Sequence, residues 1–128
     1  MSKSSRTALR ALAPRVAKAA QRVYDEWDPA GEFDEYGGGG ICDDVADAIC
    51  DVLRESGVED VTTYHVFDDN HTVAIALMPD GVWEVDVPSG VYETGGWYKY
   101  KRRPGVEIGV DDVAVTKLDG AWEDYAEA

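Results

Sequence analysis

The chain has 128 residues, and its twenty-six Asp and Glu outnumber twelve Lys and Arg to give a formal net charge of -14. That length suits one compact domain, and 45% hydrophobic residues can supply a core, which excludes wholesale disorder. The acidity excludes generic binding to a phosphate backbone, and no apolar run approaches the roughly 20 residues of a membrane span. The charge is uneven. Residues 1–22 hold Lys3, Arg6, Arg10, Arg15, Lys18 and Arg22 with no acid, so the remainder sets six bases against twenty-six acids, a net of -20. A basic arm over 1–28 therefore precedes an acidic body. The arm reads either as an exposed helix face that balances its own domain, or as a contact for an acidic partner, nucleic acid or a membrane surface. The apolar stretch near the N-terminus is too short and interrupted for a secretory leader, so the expected location is the cytoplasm.

In chain order, residues 1–8 read as frayed. Residues 9–27 carry Val16, Ala20, Val23, Tyr24 and Trp27 at helical spacing, with Pro14 in a first turn or at a break. Asp28–Gly31 ends that helix, and an acidic loop follows, closing in four consecutive glycines, 37–40. Ile41 to Ser56 form a second helix through Ile41, Val45, Ala48, Ile49, Val52 and Leu53, stopped by Gly57. The rest reads as β: Val61–Phe67, His71–Met78, Val82–Val87, an irregular strand over Val91–Tyr100 and a short strand over Val113–Lys117. Pro79-Asp80-Gly81 is a hairpin turn, and the acidic tail from Asp119 reads as loose unless Trp122 and Tyr125 dock. Helices followed by an antiparallel meander define an α+β domain spanning 1–128, with its chemistry in a core over 37–118 and a tail over 119–128.

Cys42 and Cys50 are the only cysteines. Eight helical residues separate them by about 12 Å, too far for a disulfide. With two His and no CxxC or HxxxH spacing, no metal or cofactor is expected. Asp68-Asp69-Asn70 and Asp111-Asp112 lack the spacing of a calcium loop.

Cys42 begins a helix directly after the glycines. A thiol there feels the positive end of the helix, which favours a thiolate, and the glycines leave room for a substrate backbone. Its own backbone N–H, unpaired in a first turn, suits an oxyanion. Asp43 and Asp44 oppose the thiolate unless they face solvent, so a histidine must supply most of the activation. His71, opening a strand after a turn, is the candidate base, and His65 in mid-strand competes with it. Asp86, an acid among strand formers, is the candidate orienter. A tight turn sets it opposite residue 74 or 75, roughly 10 Å along the strand from His71, so Ser89 is held in reserve. Cys50 reads as core.

These segments resemble a known superfamily. Gly37 to Ile49, then Asn70-His71-Thr72-Val73-Ala74-Ile75, then Asp80 to Pro88 look like the core of transglutaminase-like and papain-like cysteine proteins, over about residues 37–90. The resemblance implies a Cys–His–Asp triad: Cys42 as nucleophile, His71 as base and acid, Asp86 as orienter. It further implies a cysteine hydrolase or acyl transferase acting on an amide in a peptide or protein substrate, a basic one included, through a thioester. Trp27, Tyr36 and Asn70 are the available guesses for a second oxyanion donor. Gly95 to Arg103 matches nothing in that superfamily and reads as a basic edge strand or a cleft wall. The charge supports an alternative: a non-catalytic acidic binding or inhibitor module that docks a basic protein surface.

Overall fold

The computed structural model describes residues 4–27, 41–66, 71–94 and 101–126. The fold is α+β. Helices α1 (Ser5–Arg10), α2 (Ala13–Glu26) and α3 (Cys42–Glu55) precede a sheet of β1 (Val61–Val66), β2 (His71–Met78), β3 (Gly81–Asp86) and β6 (Ala114–Lys117), in the order β1-β2-β3-β6. Every pairing is antiparallel. Between β3 and β6 the chain forms a small two-stranded sheet, β4 (Glu93–Thr94) with β5 (Lys101–Arg102), and it ends in the short helix α4 (Glu123–Ala126).

The apolar stripes explain the layers. Val16, Ala20 and Tyr24 of α2 and Val45, Ile49 and Leu53 of α3 are buried against Ala74, Ala76, Val85 and Val87 of the sheet. Val73, Ile75 and Val82 face the other way and form a second cluster with Tyr64, Val66, Leu118, Trp122 and Tyr125. Because β2 is covered on both faces, its central residues are buried without alternation. Gly57 takes φ 97°, the left-handed stop expected after α3.

Two expectations are corrected, and two open alternatives, for the arm and for the tail, are decided. Residues 5–8 are not frayed: the Ser4 hydroxyl caps α1 by accepting from the Thr7 N–H at 3.1 Å, and Leu9 is buried. The helix over 9–27 is two helices, with Pro14 in the first turn of α2. The basic arm is part of the body. Arg10 donates to the Val113 carbonyl at 2.6 Å, Arg6 donates to the Val115 carbonyl at 3.2 Å, and the Arg6 guanidinium lies 5.1 Å from the Trp83 ring centroid. The tail is docked, with the Tyr125 and Tyr64 rings edge to face at 5.2 Å. Of the irregular strand over Val91–Tyr100, residues 93–94 form β4, while 95–100 lie outside the described residues.

Tyr24 anchors the segment after β5. Its hydroxyl donates to the Arg103 carbonyl and accepts from the Val106 N–H at 3.2 Å, while the Arg102 guanidinium stacks 4.0 Å from its ring. Tyr24→Phe leaves both backbone groups unpaired, so urea denaturation is expected to show a loss of about 1–3 kcal/mol. Unchanged stability would show that this anchor contributes nothing.

Candidate functional site

The hairpin between β2 and β3 builds the first half of the site. Met78 pairs with Gly81 and Ala74 with Val85, so the register extends to place Asp86 opposite Val73. Sequence reasoning put Asp86 opposite residue 74 or 75. The turn is wider than that register allows: two residues, Pro79 and Asp80, lie between the paired ones, which moves Asp86 one position toward His71. Asp86 and His71 are therefore diagonal neighbours on one face, a separation that long side chains span. The His71 Nε2 and Asp86 Oδ2 atoms are 2.9 Å apart, with side chains 13% and 7% exposed. Ser89 lines the same cavity, but it is Asp86, not Ser89, that holds the His71 ring nitrogen.

Cys42 supplies the other half. It is the first residue of α3, it is half-buried, and its thiol is free. Buried Ile41 precedes it and pins the helix start to the core. The Cys42 side chain is close enough to His71 to act on it as a hydrogen-bond partner and as a charge. Burial pulls the imidazole pKa down, but the hydrogen bonds to Asp86 and Cys42, with their charges, raise it to about 10. His71 Nδ1 is buried and has no well-formed hydrogen bond among the described residues, so the thiol contact is a loose one. Cys50 is a different case: it is 2% exposed, and burial pushes its thiol up to about 11.

His65 packs against the second residue of β2. Its Nδ1 lies 3.1 Å from the Thr72 hydroxyl, which donates to Asp43 Oδ1. Asp43 and Asp44 are both exposed. Trp27 follows α2 and lines a cavity of about 320 Å³ with Ile41 and Asp44, and its buried indole N–H has no acceptor among the described residues. Tyr36, Asn70 and the acidic pair 68–69 lie outside the described residues. Asp112 accepts from the Gly109 N–H at 2.8 Å, a turn-capping role. No group of three metal-ligating side chains occurs among the described residues. No described helix is long and apolar enough to cross a membrane.

Several polar residues at the site were missed from sequence. Glu84 faces a cavity of about 310 Å³ together with His71, Asp86 and Ser89, and burial and the Asp86 charge raise its pKa. Glu93 is buried, its carboxyl is pushed up to about 7 by burial against an opposing pull from His71, and its Oε2 is unpaired among the described residues. Tyr92 is buried beside it with a hydroxyl that is unpaired among the described residues, raised by burial and by the charges of Glu93, Cys42 and Asp86. Their only sequence signal is acid within an apolar run. A larger cavity, about 390 Å³, sits at the other end of β2 around Leu77 and Met78 and holds neither cysteine nor histidine.

Comparison with known proteins finds no matching family model, no similar curated protein and no similar solved structure.

Proposed function

We propose that this protein is a cysteine-dependent hydrolase or acyl transferase acting on an amide, with a transglutaminase-like or papain-like core. One observation carries the reading: a buried His71–Asp86 pair at 2.9 Å with the Cys42 thiol, at a helix start, in reach of the same imidazole. In that reading Asp86 holds Nε2–H, which leaves Nδ1 to receive the thiol proton. Cys42 Sγ attacks the amide carbon, and the oxyanion sits at the Cys42 backbone N–H, with the Trp27 indole as the candidate second donor. His71 returns the proton to the leaving amine as the C–N bond breaks, and a thioester remains. Water or a second amine then attacks that thioester, again with His71 as base, and the thiol is restored. Substitution Cys42→Ala tests this reading: it should abolish amide turnover, and full turnover in that variant removes the proposal.

The site is acidic. Glu84 and Asp86 both line the cavity beside His71, so a peptide or protein substrate with a basic segment fits it best. Loss of one such charge is worth roughly 1 kcal/mol, so Glu84→Gln should raise KM for a lysine-bearing peptide about fivefold while kcat holds. Equal KM values for the two proteins would show that Glu84 does not select substrate. The charge of -14 also favours the second reading, a module docking a basic protein surface. Salt-sensitive association that survives Cys42→Ala, without any turnover, would select it. Cytoplasmic location is part of the same proposal.

A further inference from the structure

Cys42 and His71 are twenty-nine residues apart, and each is followed by a residue that bonds to the other segment: Asp43 accepts from the Thr72 hydroxyl across the same separation of 29 residues. The hydrogen bond therefore ties the first turn of α3 to the first residues of β2, one position beyond the thiol and the imidazole.

The direction of the chain is fixed by chemistry. A carboxylate only accepts, so the Thr72 hydroxyl spends its proton on Asp43. Its oxygen must then accept from His65, which makes Nδ1 the protonated nitrogen in that 3.1 Å contact. β1 pairs His65 directly with Thr72, so the backbone register holds the ring in place. Thr72 is buried, at 5% exposure, whereas Asp43 is exposed. Thr72 also lies on the helix side of β2, the face opposite the cavity that His71 and Asp86 line. His71 is thus oriented by Asp86 from one face of the sheet, and the α3 start is secured by Thr72 from the other.

We infer that Thr72, backed by His65 and bonded to Asp43, is the positioning residue that sets the approach of Cys42 to His71. The inference rests on the reading of Cys42 as nucleophile. It gives Asp43 a role opposite in sign to its charge. As a bare negative neighbour Asp43 opposes the thiolate. As the acceptor for Thr72 it holds the thiol in place, and a misplacement of about 1 Å can cost a site on the order of 100-fold.

The test is the rate of Cys42 alkylation by iodoacetamide between about pH 5 and about pH 9, where thiolate character sets the rate. Asp43→Ala removes charge and acceptor together and should slow Cys42 about tenfold at neutral pH. Asp43→Asn keeps an acceptor and loses the charge, so it should react as fast as the native protein or faster. Thr72→Ser should keep the native profile, and Thr72→Val should match Asp43→Ala. A purely structural role would lower the melting temperature and leave the pH profile alone. Asp43→Ala reacting faster than the native protein overturns the inference, as does Thr72→Val with the native profile. Should Thr72→Val fail to fold, the exposed Asp43 pair decides alone. If native Cys42 reacts no faster than Cys50, the nucleophile reading has failed and the inference with it. If Cys42 outpaces Cys50 equally in every variant, only the positioning role has failed.

Discussion

At neutral pH, iodoacetamide is expected to label Cys42 at least about 100-fold faster than Cys50. The two thiols share helix α3, so each is the other's control. Cys50 is 2% exposed and its thiol is pushed up to about 11 by burial, with further increments from Asp47 and Asp51. At pH 7 roughly one Cys50 in 10⁴ would carry the reactive thiolate, before any allowance for access. Cys42 is half-buried at the helix start, within reach of solvent and reagent. It also faces an imidazole that holds its proton through the neutral range. Peptide mapping after a short exposure reads the two rates separately. Equal labelling would remove the basis for treating Cys42 as anything but a helix residue.

Asp86→Asn is expected to lower both the basicity of His71 and the rate of any reaction it assists. Asparagine is nearly the same size and its carbonyl can still accept from Nε2, so the ring stays in place while the charge is lost. The hydrogen bond to Asp86, the largest upward pull on His71, is then weakened to a neutral one and the Coulombic pull of the carboxylate is gone, so burial drags the pKa down from about 10. The loss of a positioned proton-transfer group costs about 100-fold or more. Imidazole resonances followed through a pH titration report the shift directly. A native His71 that titrates near its ordinary 6.5 would contradict the electrostatics of the site.

The same pair sets a pH dependence of stability. The folded pKa of His71 lies above its ordinary value, so folding binds the proton more tightly. That contribution is present in full below pH 6.5 and is lost as the pH rises through about 10. Asp86→Asn should flatten the decline between those limits.

The site residues were legible because their chemistry is unusual for their positions. A cysteine after four glycines, a histidine opening an apolar strand and an acid among strand formers each break a local pattern. The stripes of α2 and α3 were legible for the converse reason, since they follow one period without interruption. The pairing register was not, because the number of turn residues between Met78 and Gly81 is a property of the backbone, and one residue moves Asp86 by 3.4 Å or so. Docking of α1 depends on Arg6 and Arg10 reaching carbonyls more than a hundred residues away, and docking of the tail depends on Tyr125 meeting Tyr64. Neither contact leaves a local signal. Thr72 and Asp43 are ordinary residues for a strand and a helix N-terminus. Their link appears only once both elements are placed.

The most direct measurement is acylation by p-nitrophenyl acetate, followed by intact mass and peptide mapping. The native protein should take one acetyl group on Cys42 as a hydroxylamine-labile thioester, with His71→Ala and Cys42→Ala both failing to form it at a comparable rate. Acetylation confined to lysines, or a Cys42 thioester formed equally fast without His71, would contradict the assignment of a histidine-assisted thiol nucleophile.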